Sequence, residues 1–115
     1  MRCIKSVDME ELSHRVVEVA KKLAENELYR VYLYGSYARG DFDEESDIDI
    51  IIIVDCAKEQ VESYRKRMCH YAGLIGMEFD REVSLIMRDK ETFDNNQETS
   101  PFFKNIIREG VVLYG

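Results

Sequence analysis

The chain has 115 residues, 45% of them hydrophobic and one of them proline, with 23 acidic and 16 basic side chains and a net charge of −7. That length suits a single domain over residues 1–115, and the composition is that of a folded chain rather than a disordered one. The acidic balance argues against broad nucleic-acid binding, which needs a basic surface to displace counterions from phosphates, but divalent metal could still bring a nucleotide to an acidic pocket.

Asp8 followed by Glu11 makes a capping-box pattern, and Met9, Leu12, Val16, Val19 and Leu23 recur at helical spacing. A helix is expected over residues 9–25. Residues 28–34, LYRVYLY, are rich in the branched and aromatic side chains that favour strands, and the run stops at Gly35. Residues 36–40 have room for a turn or two of helix, and the acidic residues 41–46 read as a surface loop. Residues 47–55, DIDIIIIVD, form the clearest strand, with a far half apolar at every position, as in a strand covered on both faces. Asp55 is then a candidate cap for a helix over residues 57–75. A third strand is expected over 81–87, a short helix around 90–95, and a helix starting from Ser100-Pro101 and ending at Gly110, since serine caps and proline suits the first helical position. The terminal VVLY could add a last strand. The order predicts an α+β fold, a small mixed sheet with helices packed against it.

Cys3, Cys56 and Cys69 form no CxxC pair, which suggests free thiols in a reducing compartment, with Cys56 and Cys69 as small buried side chains. The N-terminus lacks the apolar run of a signal peptide, and the longest aliphatic stretch, residues 50–54, is far too short to cross a bilayer. A cytoplasmic location, with no membrane contact, is the expectation.

The chemistry concentrates in Gly35-Ser36, ten residues, then Asp47-Ile48-Asp49. Two carboxylates two apart on a strand leave the same face, and they repel unless something positive sits between them. Oxygen-rich sites of this kind favour magnesium or manganese, above all when triphosphate oxygens complete the ligand set. Gly-Ser at the end of a strand, entering a helical turn, offers backbone N–H groups and a hydroxyl to phosphate oxygens. Arg39, one turn on, could reach a phosphate or brace the carboxylates. Each piece is weak alone; their order makes the signal.

The stretch LYGSYARGDFDEESDIDIIIIV closely resembles the active-site signature of the DNA polymerase β-like nucleotidyltransferases, and within them the minimal nucleotidyltransferase (MNT) group found with HEPN-domain toxins. The resemblance covers nearly the whole chain, including the closing PFFKNIIREGVVLYG. It implies the polymerase β-like fold and an enzyme that takes ATP as nucleotide donor with Mg2+ or Mn2+. Gly35 and Ser36 would bind the triphosphate, and Asp47 and Asp49 would hold metal. The third carboxylate of the family departs from its usual form: the strand here reads DREVSLI, and Glu82, sharing a face with Ser84 and Ile86, is the best match, as metal ligand or base. The implied role is transfer of AMP to a partner protein hydroxyl, as the antitoxin of a HEPN RNase toxin. Two competing readings are an antitoxin that acts by binding with little or no transfer, and a small-molecule, aminoglycoside-type nucleotidyltransferase. The chain has no room for the acceptor-gripping domain of the latter, so the acceptor is expected on a partner surface or to be small, with homo- or hetero-oligomers both open.

The remaining conspicuous residues have plainer readings. His14 should be solvated, and His70 has no second ligand at helical spacing for zinc. Arg65, Lys66 and Arg67 read as a solvated helix face. The seven tyrosines are expected to serve packing and interface roles, and Tyr37, beside Ser36, is the one candidate among them to touch a base or a partner.

Overall fold

The computed structural model describes residues 8–43 and 45–115. Cys3, the N-terminal stretch read above and Glu44 of the acidic loop lie outside the described residues. Helix α1 (Met9–Ala24) starts where Asp8 accepts a hydrogen bond from the amide of Glu11 at 3.1 Å, and it buries Leu12, Val16, Ala20 and Ala24. Strand β1 (Leu28–Tyr34) leads through Gly35 into the single-turn helix α2 (Ser36–Arg39), and β2 (Ile48–Val54) follows the acidic loop.

Two boundaries differ from the sequence expectation. The helix expected over 57–75 is α3 (Val61–Phe79), preceded by a short 3₁₀ turn at Lys58–Gln60. Gln60, not Asp55, is its N-cap, and the Asp55 amide instead donates to the carbonyl of Glu27 at 2.6 Å, where β1 begins. The third strand is β3 (Val83–Asp89), two residues later than expected. Asp80 ends α3 in the left-handed region, φ 56°, and residues 81 and 82 complete the turn. Buried Asp89 then caps α4 (Lys90–Asn95): burial works against its charge, but hydrogen bonds from Thr92 outweigh it and hold the carboxyl below the usual range. Ser100 accepts from the amide of Phe103 at 3.3 Å and opens α5 (Pro101–Glu109), and β4 (Val111–Tyr114) closes the chain.

The sheet runs β3-β2-β1-β4. β1 is antiparallel to both β2 and β4, whereas β2 and β3 are parallel, joined by α3. Side chains alternate between faces along each strand. On one face Ile48, Ile50, Ile52 and Val54 pack with Leu12, Val16, Met68 and Ile75 of α1 and α3. On the other, Ile51 and Ile53 pack with Tyr32, Phe93 of α4, and Phe103 and Ile106 of α5. The aliphatic run of β2 is thus covered on both sides, as its composition predicted. Among the described residues no helix is long and apolar enough to cross a membrane.

Candidate active site

Asp47 is exposed immediately before β2, and Asp49 is half-buried on it. Asp49 shares the parity of Ile51 and Ile53, so its carboxylate leaves the face on which α4 and α5 pack. Its lateral neighbours are Tyr34 on β1 and Ser84 on β3. The carboxylate pair therefore stands at one end of the central part of the sheet, beside the β1–α2 turn.

That turn is shaped by Gly35, whose φ of 77° favours glycine. The carbonyl of Gly35 accepts from the amides of Ala38 and Arg39, both at 3.1 Å, which closes α2. The amides of Ser36 and Tyr37 belong to the first turn and lie outside the helix's own ladder. Gly35 also lies against Asp49: a methyl group in its place would overlap Asp49 Oδ2 and stand 3.2 Å from Cγ. In the fold this glycine thus admits the Asp49 carboxylate.

Electrostatics agree with the geometry. Burial first, then the charge of Asp47, pushes the Asp49 carboxyl above the usual aspartate range, and Arg39 works in the opposite direction. Arg39 Nε is paired with Asp41 Oδ2 at 3.1 Å, so it feels the pair without bridging it. It also borders a cavity of about 250 Å³ with Tyr34, Gly35, Phe102, Asn105 and Glu109. Burial, with Asp49 as the next cause, raises the Tyr34 phenol to about 12. Two carboxylates that repel each other, one of them partly desolvated, are a donor set suited to a hard divalent cation.

Glu82 lies next to Asp47 along the backbone but does not complete a three-carboxylate group with the pair. It precedes β3, is exposed, and its carbonyl accepts from the amide of Ile48 at 2.8 Å. Glu82 lines a cavity of about 450 Å³ with Gly76, Met77, Asp80 and Arg81 beside α3. Among the described residues no group of three His, Cys, Asp or Glu side chains is placed to hold a metal ion. The residue in register with Asp49 is Ser84, which the sequence reading passed over because a serine on a strand carries no metal-ligand signal.

Tyr37 is buried rather than offered to a ligand. Its ring stacks on Phe42 with centroids 4.2 Å apart and planes 10° from parallel, and its hydroxyl accepts from Arg81 Nε at 3.1 Å. His14 is exposed, and His70 is exposed with its ring against Tyr71. Arg65 pairs with Glu62, Arg67 lies over the Tyr64 ring, and Lys66 is exposed. Cys56 and Cys69 are free thiols, half-buried rather than fully enclosed.

Residues 15–114 match the family model described as a nucleotidyltransferase domain. Two proteins of Methanocaldococcus jannaschii, named as inferred protein adenylyltransferases, are each 33% identical to the chain. The alignment with one covers 85% of this chain and 90% of the relative; with the other it covers 65% and 81%. Among solved structures, a toxin–antitoxin complex with AMP-PNP matches at a TM-score of 0.56 and 19% identity, over 90% of this chain and 73% of that one. A mutant of the MntA–HpeT toxin–antitoxin matches at 0.58 and 20%, over the same shares. At such identities these two show the fold alone: a mixed sheet with helices of the nucleotidyltransferase type.

Proposed function

This chain belongs to the nucleotidyltransferase domain family and is a nucleotidyltransferase, and from that premise we propose that it transfers AMP from ATP to a hydroxyl of a partner protein. The observation that carries this reading is the contact of Gly35 with the Asp49 carboxylate, which joins the turn and the acid pair into one site. Gly35 and Ser36 hold the outer phosphates through backbone amides and the serine hydroxyl. Arg39, released from Asp41 when an anion of higher charge arrives, adds a charged hydrogen bond to the triphosphate. Asp47 and Asp49 would hold Mg2+ or Mn2+, which when bound offsets triphosphate charge and polarises the α-phosphate.

An acceptor hydroxyl oxygen forms a bond to the α-phosphorus, the bond from that phosphorus to the α,β-bridging oxygen breaks, and pyrophosphate leaves. The hydroxyl proton departs to solvent through the exposed side of the site, where Asp47 stands. The chain's part is to fix the donor in line and keep its charge neutralised, the usual division of labour in phosphoryl-type transfer.

The protein acceptor is supported by the relatives named as inferred protein adenylyltransferases. A toxin as that acceptor, of the HEPN class, is supported by the MNT-type signature and by fold neighbours solved as toxin–antitoxin complexes. The acidic exterior suits a partner with a basic face. The test is label transfer from α-phosphate-labelled ATP, with magnesium, in host lysate, comparing wild type with the Asp47→Asn/Asp49→Asn variant. A labelled protein band with wild type alone supports the proposal. No labelled protein, despite measurable MgATP binding, would turn the reading towards a small-molecule acceptor or neutralisation by binding alone.

A further inference from the structure

We infer that Ser84 limits this site to one tightly held divalent ion, leaving an acceptor-side ion only weakly bound. The inference rests on the nucleotidyltransferase reading of Asp47 and Asp49 and specifies how their centre is completed. β2 and β3 are parallel and in unbroken register from Ile48 opposite Val83 to Val54 opposite Asp89, which sets Ser84 directly beside Asp49. Residues in register on parallel strands share a face; Ile51 and Ile86, the next such pair, both meet the cluster under α4 and α5. The Ser84 side chain therefore emerges about 4.8 Å from that of Asp49, on the same side.

A pair of metal ions about 3.5–4 Å apart needs anionic ligands on both sides of the gap, because the triphosphate supplies oxygens mainly to the donor-side ion. Around Asp49 the flanking strands offer Tyr34 and Ser84. Neither side chain is a carboxylate: a phenol and a serine hydroxyl are uncharged, weak ligands for a hard cation. Glu82 is no substitute: it stands exposed before β3, and among the described residues no third His, Cys, Asp or Glu side chain joins Asp47 and Asp49 in a group placed to hold a metal ion. Asp47 and Asp49 thus suffice, with triphosphate oxygens, for one ion. A second ion would share the same two carboxylates and gain nothing from the β3 side. In this arrangement the acceptor must bring its own activating group or depend on high metal concentration.

The experiment counts metal directly. Mn2+ is titrated into the protein with excess α,β-methylene-ATP, which cannot undergo the transfer, and free Mn2+ is read by electron paramagnetic resonance. Wild type should take up one Mn2+ per chain, with a second at least roughly tenfold weaker, since ligand charge count governs such affinities. Ser84→Asp should tighten the second ion to within about threefold of the first, whereas Ser84→Asn, of equal size without charge, should not. Two equally tight Mn2+ ions in wild type would overturn the inference while leaving the nucleotidyltransferase site intact. So would a folded Ser84→Asp protein, judged by circular dichroism, that binds as wild type does. Absence of any nucleotide-dependent Mn2+ uptake by wild type would overturn the site and the inference together; the wild-type titration decides even if Ser84→Asp fails to fold.

Discussion

The α-carbon of Gly35 lies against the carboxylate of Asp49, so that a β-carbon at position 35 would overlap Oδ2 and stand 3.2 Å from Cγ. The glycine also holds φ at 77°, which an L side chain resists. Gly35→Ala should therefore act twice. Backbone strain should lower stability by about 1–3 kcal/mol in urea unfolding. Displacement of Asp49 should weaken MgATP binding by more than about tenfold in calorimetry, the equivalent of about 1.4 kcal/mol. Unchanged affinity would mean that Asp49 does not share a site with the turn.

A pH experiment follows from the Asp49 carboxyl, raised by burial and then by Asp47. The folded state binds this proton more tightly than the unfolded chain does. Its contribution to stability is therefore fully present below the ordinary aspartate value, about 3.9, and is lost as pH rises through the folded value. In metal-free protein Asp49→Asn should melt above wild type at pH 7, with the gap closing near pH 3. Saturating MgATP should reverse the order at pH 7, because only wild type gains from the ligand.

Tyr34 gives an independent reading of the same charge. Its phenol is pushed up to about 12 by burial first and by Asp49 second, while Tyr64, also at about 12, owes its shift first to the hydrogen bond with Glu27. Carbon-13 resonances of labelled tyrosine, followed through alkaline titration, should show the Tyr34 value falling in Asp49→Asn and the Tyr64 value unmoved. The stability linked to protonated Tyr34 persists below the ordinary tyrosine value, near 10, and is lost as pH climbs to about 12.

Tyr37 stacks on Phe42 and accepts from Arg81, which ties the start of the acidic loop to the turn after α3. Tyr37→Phe keeps the stack and loses one hydrogen bond, about 0.5–1.5 kcal/mol. Tyr37→Ala empties a buried ring site and should cost about 3–5 kcal/mol, by analogy with other buried aromatics. Denaturant midpoints separate the two. Equal losses would mean that the ring, not the hydroxyl, contributes nothing to holding the loop.

The elements were legible where the cue was local. The Asp8 and Ser100 caps, the aliphatic run of β2 and the short α4 all follow from side chains within a few positions, and each is present. The start of α3 was not, because Asp55 resembles a cap while its amide is engaged by Glu27 from another part of the chain. The site divides in the same way. Gly35, Asp47 and Asp49 announce themselves through spacing, but which residue of β3 faces Asp49 depends on the register between strands separated by α3. A shift of two residues in the strand start moved attention to Glu82, whose charge is conspicuous, and away from Ser84, which the pairing places there. Of the two readings open for Tyr37 the packing one holds, a choice that sequence proximity to Ser36 could not make because it says nothing about which way a one-turn helix rolls its second residue.

β2 is hydrogen-bonded along both edges, to β1 and to β3, and clad in apolar side chains on both faces. Amides in such a strand exchange with solvent only when the whole domain opens, whereas outer strands breathe at lower cost. Asp49 is borne by one of the two inner strands, so its carboxylate is anchored to a part of the sheet that opens late. Fraying of β4 or of the loop before Asp47 can then come and go while Asp49 keeps its place, and a ligand arriving at the site meets an anchor already set.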